Sequence, residues 1–233
     1  MTEQNVAGEN AGVREKPILF SGPMVRAILE GRKRQTRRVL KPQPEKMPAG
    51  TWHVPWQVGG GSIMGADATD HCIAVEMEQG LRTEVGDRLW VREAWARSDD
   101  HEWLVAYRAD GTCGAWMWDG DGKPAFNRHG LVLDPARRDD KGEWGLGKFG
   151  GKWRPSIHLP RKYSRITLEV ADVKVERLQD ISHEDAVAEG MGIFPHSMSA
   201  QKRFREVWES INGPGSWEAN PWVVVISFKR LTP

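Results

Sequence analysis

The chain has 233 residues, a hydrophobic share of 39% and a formal net charge of +1 at pH 7. This length and apolar content suffice for one elaborated domain, and the balanced charge excludes a strong attraction of the whole protein to nucleic acid phosphates. No apolar run approaches the roughly 20 residues of a membrane-spanning helix, and the two cysteines form no CxxC pair, so we expect a cytoplasmic protein without a membrane role.

The N-terminal region predicts a leader followed by a helix. Residues 1–15 are polar and lack apolar periodicity, which is typical of a disordered leader, and we expect one domain over 16–233. A helix-start signal, Ser21 followed by Pro23, then precedes apolar residues at helical spacing. The sequence therefore predicts a short amphipathic helix that leads into a basic strand or turn.

Two stretches have the composition of loop-rich insertions. Residues 42–70 contain several prolines and a run of three glycines, and residues 119–152 are dominated by Gly, Asp, Arg and Lys. Trp52 and Trp56 are the large side chains that would anchor the first insertion. From Ile73 onward the pattern becomes strand-like.

Apolar alternation and turn signals predict the strands in the middle of the chain. Residues 85–93 contain a Gly-Asp turn that leads into a strand. Residues 103–108 alternate, and the Asp-Gly pair that follows them predicts a hairpin whose second strand holds Trp116 and Trp118.

The C-terminal third shows the clearest periodicity. It predicts a long strand over 166–175 with a bulge near Asp172, capped helices over 183–189 and 199–212, and a buried final strand over 222–228. Together these elements predict an α+β fold, and the bulge is a bend of the kind that barrels use to close.

Three separated motifs carry a family resemblance. They are GRKRQTRR at 31–38, VGDRLWV at 85–91 and VVISFK at 224–229. In this order they resemble the ASCH family, whose motif is GxKxxTxR followed by a GD turn and a closing VIxF-type strand, and the wider chain is similar to bacteriophage and prophage proteins with that domain. The resemblance implies a PUA-like fold, a small mixed β-barrel with flanking short helices.

One subgroup of that family implies a reaction. Its members hydrolyse N4-acetylcytidine with a lysine and a threonine spaced as in GRKxxTxR and a glutamate near the end of the following helix. Lys33 and Thr36 occupy the first two positions and Glu189 the third. The resemblance implies an amidohydrolase in which Lys33 accepts a proton, Thr36 is the nucleophile and Glu189 donates a proton.

The chemistry of these residues sets two conditions. Lys33 is a base only when it is deprotonated. Burial and neighbouring cations lower its pKa, whereas pairing with Glu189 raises it. The sequence alone does not decide which effect on the pKa is larger. Residues three apart on a regular strand face opposite sides, so we expect a turn at Lys33 before the strand begins at Thr36, with Thr36 and Arg38 on one face.

The neighbouring cations are candidates for ligand contact. We expect Arg34, Arg37 and Arg38 to bind the substrate or nucleic acid, and Arg38 to bind a ring carbonyl or a phosphate. The expected partner is a modified nucleoside or a nucleic acid, RNA before DNA. His158 and His183 lack ligand-like spacing with the cysteines, so no metal or other cofactor is expected.

Alternative interpretations stay open. The basic residues are also compatible with a solvated edge strand, and Glu189 with a surface position. A noncatalytic module that reads RNA, DNA or a modified base would use the same cleft and bind in a salt-dependent way. A phage accessory protein would instead use the tryptophan-bearing insertions as contacts for another protein.

Overall fold

The computed structural model describes most of the chain. The described residues are 13–55, 61–79, 81–97, 104–118, 124–127, 152–192 and 199–231. Most of the predicted leader and most of the predicted insertion over 119–152 lie outside these ranges, as does Trp56.

The described chain contains strands, helices and short 3₁₀ helices in alternation. The strands are β1 (Glu15–Leu19), β2 (Gln35–Val39), β3 (Glu45–Lys46), β4 (Trp52–Pro55), β5 (Gly61–Met64), β6 (Arg88–Arg92), β7 (Trp95–Arg97), β8 (Leu104–Tyr107), β9 (Cys113–Trp118), β10 (Pro124–Asn127), β11 (Thr167–Arg177) and β12 (Trp222–Leu231). The helices are α1 (Gly22–Leu29), α2 (Asp70–Gln79), α3 (His183–Ala188) and α4 (Ala200–Asn212), with 3₁₀ helices at Ser156–His158, Arg161–Tyr163 and Leu178–Asp180. None of the helices in the described residues is long and apolar enough to cross a membrane.

Three sheets organise these strands into a mixed α+β fold, as the sequence predicted. The central sheet has the order β1-β6-β11-β12-β2, with β1 parallel to β6 and the other pairs antiparallel. The smaller sheets have the orders β10-β9-β8-β7 and β3-β4-β5. The predicted hairpin strands are thereby confirmed as β8 and β9.

The central sheet is open, so the expected barrel closure is not observed among the described strands. Strands β1 and β2 are its two edges. A side chain links these edges, because Arg38 Nη2 donates to the backbone carbonyl of Leu19 at 2.6 Å. A bulge between Val170 and Asp172 shifts the β11–β12 register, which confirms the predicted bulge.

Both faces of β12 are buried, which explains why its sequence is continuously apolar. Val224 and Ile226 face a cluster that includes Ile28 of α1. Val223 and Val225 face the opposite way and pack with α3 and α4. The central sheet therefore lies between the main core and the two C-terminal helices.

Two sequence interpretations fail in the region before β6. Residues 42–70 include the three-stranded β3-β4-β5 sheet, and Val54 in this sheet is fully buried in the main core. The strand predicted from Ile73 is instead helix α2, which buries Ile73, Ala74 and Met77. These positions share one face of a helix, and their i, i+1, i+4 spacing is helical.

Candidate functional site

The site forms where the chain entering β2 meets the end of α3. Lys33 and Glu189 form an isolated antiparallel β-bridge, and the Arg34 amide donates to the Ala188 carbonyl at 2.7 Å. Helix α3 is capped by Ser182, whose side chain accepts from the Asp185 amide. Because the helix ends at this bridge, Glu189 is held beside a residue 156 positions away in the chain.

Gly190 allows this close approach. Its φ of +95° is unfavourable for residues with a Cβ atom. A Cβ built on Gly190 would lie 3.2 Å from the Cβ atoms of both Ala27 and Lys33. Both the backbone conformation and the space therefore require glycine at this position.

The Lys33 side chain is completely inaccessible to solvent. Its Nζ donates to Glu189 Oε2 at 2.6 Å, to the Gln35 carbonyl at 2.8 Å and to the Glu189 carbonyl at 3.0 Å. Three acceptors match the three N–H bonds of an ammonium group. The geometry is therefore that of an ion pair supported by two backbone carbonyls.

The sequence left open whether the pKa of Lys33 is raised or lowered, and in the structure it is lowered. Burial is the largest effect and lowers the pKa of Lys33, because it disfavours the charged form. The charge and hydrogen bond of Glu189 oppose this, whereas Arg38 and Arg37 add to the lowering. The amine form of Lys33 is therefore easier to reach than that of an exposed lysine.

Arg37 is bound by neighbouring acceptors at each of its three guanidinium nitrogens. The Nη1 atom donates to Gln35 Oε1 at 2.7 Å and to Glu189 Oε1 at 3.2 Å. The Nε and Nη2 atoms donate to Glu176 Oε1 at 3.0 and 2.7 Å, and Nη2 also donates to Asp185 Oδ2 at 2.9 Å. Because these contacts use all five N–H bonds of its inaccessible side chain, Arg37 positions carboxylates in this structure. Its contact with substrate or nucleic acid stays a prediction.

The carboxylate of Asp185, one of the acidic partners of Arg37, is stabilised by the cations beside it. Burial alone would raise the pKa of Asp185, but Arg37 and Lys174 outweigh this effect and lower it below its usual value. Lys174 Nζ lies 2.9 Å from Glu176 Oε2 and 3.5 Å from Asp185 Oδ2. Cations and anions thus alternate from the buried Lys33 out to the half-exposed Lys174.

A cavity of about 190 Å³ lies between β2 and α4. Its volume is smaller than the roughly 300–1,000 Å³ of typical ligand pockets. One part of the wall is polar, consisting of Thr36, Arg37, Arg38, Glu189 and Asn212. The other part is apolar, consisting of Met24, Val39, Met191, Phe204, Val207, Trp208 and Ile211.

The cavity brings together some of the predicted site residues. The predicted residues that line it are Thr36, Arg37, Arg38 and Glu189, whereas Lys33 lies behind Glu189 and Arg34 is exposed outside it. No hydrogen bond to another described residue holds the Thr36 hydroxyl. Strand β2 begins at Gln35, one residue before the predicted start.

Arg38 lies between the cavity and the core. Its guanidinium carbon is 5.4 Å from the centre of the Phe20 ring, and burial lowers the pKa of Arg38. Since its hydrogen bond to the Leu19 carbonyl uses only Nη2, other N–H bonds remain for a ligand. The contact of Arg38 with a ring carbonyl or phosphate stays a prediction.

Sequence reasoning missed Glu176, Asp185 and the role of α4. Asp185 was visible only as an acidic residue in the first turn of a helix, and Glu176 lies just beyond the predicted strand over 166–175. The apolar face of α4 was predicted, but nothing in its spacing indicated that this face borders a cavity. In the described part of the chain, no group of three His, Cys, Asp or Glu side chains is placed to hold a metal ion.

No protein-family model, curated protein or solved structure matches the chain. The functional interpretation therefore depends on the geometry of this site.

Replacing Gly190 with alanine is expected to destabilise the fold by about 2–4 kcal/mol, because positive φ and two close Cβ contacts act together. The matched control is Gly86→Ala, which has φ +90° but nothing within 4 Å of its added Cβ, and which should cost about 1–2 kcal/mol. Urea unfolding of both variants measures the difference. Equal losses would show that the contact with Lys33 is not restrictive.

A double-mutant cycle is expected to reveal strong coupling between Lys33 and Glu189. Glu189→Gln leaves a buried ammonium without its carboxylate and should cost about 3–5 kcal/mol. Combination with Lys33→Met should cost less than the sum of the single changes, with a coupling energy of about 1–3 kcal/mol from urea unfolding at pH 7. The exposed Arg161–Glu15 pair is the control and should show about 1 kcal/mol or less. Additive losses at Lys33 and Glu189 would contradict an ion pair.

Proposed function

We propose that this chain is an ASCH-type domain of the PUA-like superfamily, of the kind carried by phages and prophages. We propose further that it hydrolyses the amide of an N-acylated cytosine nucleoside or a related modified base. The supporting observation is the double role of Glu189, which contacts Lys33 at 2.6 Å and lines the same cavity as Thr36. Two of the three residues needed for acyl transfer thus line one small space, and the third, Lys33, contacts one of them from behind.

In the proposed reaction, the Thr36 hydroxyl attacks the acyl carbonyl carbon of the substrate and transfers its proton to the Lys33 amine, through a water molecule where the two groups do not touch. The carbon–nitrogen bond then breaks, and the leaving amine takes a proton from Glu189. Water hydrolyses the Thr36 ester, which releases the carboxylic acid and restores the hydroxyl.

The short Lys33–Glu189 contact supplies both protonation states that this reaction needs. Transfer of one proton from Lys33 Nζ to Glu189 Oε2 converts the ion pair into an amine and a carboxylic acid. Burial favours this neutral form because it removes two charges from a low-dielectric interior. Arg37 opposes it, since its contact with Glu189 Oε1 stabilises the carboxylate.

The cavity supports a small ligand that is flat and only partly polar. A volume of about 190 Å³ suits a nucleobase with a short acyl group, and a ribose or phosphate would remain outside. Phe204 and Trp208 offer apolar surface to a ring, while Arg38 can donate to a ring carbonyl or to the developing oxyanion.

The second candidate is a noncatalytic module that binds a modified base. It is favoured by the three hydrogen bonds of Lys33 Nζ, because a fully occupied ammonium group has no lone pair for proton abstraction. The two candidates differ in one measurable respect, which is the formation of product.

Thr36→Val is expected to lower kcat/KM for acetate release from N4-acetylcytidine by at least about 1,000-fold, because it removes the nucleophile. Thr167→Val, a threonine change on β11 outside the cavity, is the matched control and should retain wild-type turnover. Acetate and cytidine are quantified by chromatography. Undiminished turnover in Thr36→Val would eliminate the proposed nucleophile, and binding by the wild type without any product would favour the noncatalytic module.

The pH profile tests the role of Lys33. The active form of the Lys33–Glu189 pair carries one proton, on Glu189, and loss of that proton leaves no acid for the leaving amine. Since the pKa of Lys33 is lowered from 10.5, kcat/KM should be level near neutral pH and fall at a pH below 10.5. Lys33→Arg stays protonated over this range, so it should be slow throughout and show no such fall. Rates without protein are subtracted at each pH. A wild-type rate that keeps rising up to pH 10.5 would show that the pair does not supply the acid.

A further inference from the structure

A second basic surface lies away from the cavity, on the segment that precedes β11. We name residues 152–165 the basic strap. This segment contains no Asp or Glu and five cations, Lys152, Arg154, Arg161, Lys162 and Arg165. In a chain with a net charge of only +1, such a segment concentrates positive charge.

Two of the five cations are neutralised by carboxylates. Arg165 is almost fully buried and makes bidentate hydrogen bonds with Glu93 and with Asp110, at 2.8–3.0 Å. Arg161 pairs with Glu15 on β1 at 2.9 Å. These contacts hold the strap against the sheets without leaving free charge.

The other three cations are exposed. Lys152, Arg154 and Lys162 each retain high solvent exposure, and no carboxylate among the described residues pairs with them. Their charge is therefore available to a partner molecule.

Buried aromatic rings fix two of these free cations. Arg154 exchanges backbone hydrogen bonds with Trp95 at 2.7 and 3.2 Å, and its guanidinium carbon lies 5.3 Å from the Trp95 ring centre. Lys162 Nζ lies 4.8 Å from the Tyr163 ring, whose centre is 5.5 Å from that of Trp95. Since both rings are buried, they orient the cations but are unable to stack on a base.

From these observations we infer that the basic strap binds the sugar-phosphate backbone of a nucleic acid strand. Fixed cations without accessible stacking surfaces provide an electrostatic contact that carries no sequence information. Anionic membranes attract clusters of about four to eight cations, more than the three that are free here. The inference does not depend on hydrolysis in the cavity.

The test is salt-dependent binding of fluorescein-labelled single-stranded RNA of mixed sequence, with DNA of the same sequence in parallel, measured by anisotropy. Three phosphate contacts predict a slope of log Kobs against log salt of about −2, since each contributes roughly 0.7 on single strands. Lys152→Gln/Arg154→Gln/Lys162→Gln should bring this slope near zero. The matched control, Lys46→Gln/Lys202→Gln, removes two exposed cations elsewhere, one of which stands over the Trp52 ring, and should leave the slope unchanged.

A second variant distinguishes the loss of the strap cations from misfolding. Lys152→Gln/Lys162→Gln keeps the Arg154–Trp95 contact and should reduce the slope by about 1.4. An unchanged slope in this variant, or binding of wild type to phosphatidylserine vesicles but to neither oligonucleotide, would overturn the inference. Thr36→Val should bind as wild type does, so a failure of the hydrolase proposal and a failure of the strap are distinguishable.

Discussion

The contact between Lys33 and Glu189 ties the beginning of the domain to its C-terminal third. Two buried charges are costly unless they are paired and hydrogen-bonded, so the sheet edge at β2 and the end of α3 must meet accurately. Gly190 provides the space for this meeting, and the backbone bridge fixes its geometry. Through Glu189, the same contact also defines one wall of the cavity.

Arg37 extends this constraint to the acidic side of the site. By contacting Glu176, Asp185 and Glu189 it links β11, α3 and the cavity to one strand position. Arg37 and Lys33 contact different oxygens of the same buried Glu189 carboxylate, so a substitution at Arg37 would also change the surroundings of the Lys33–Glu189 pair.

The sequence predicted elements with local signals and missed those that depend on tertiary pairing. The caps of α3 and α4 and the bulge in β11 are local, and each is confirmed. Helix α2 was misread because its β-branched residues Ile73 and Val75 are typical of strands, although its buried positions have helical spacing. Lys33 and Glu189 were proposed as partners from a family resemblance, whereas the burial of Arg37 depends on carboxylates at least 139 positions away, which no local pattern reveals.

Charge in the sequence differs from charge at the surface. The segment GRKRQTRR is strongly basic in sequence, yet Lys33 and Arg37 form ion pairs with buried carboxylates. Arg32 pairs with Glu30, and Arg38 donates to a backbone carbonyl. The basic strap has fewer cations but no acidic residue of its own, and three of them pair with no carboxylate in the part of the chain that the structure describes. This distribution of charge is the reason that the proposals assign a long anion to the strap and a small, largely uncharged group to the cavity.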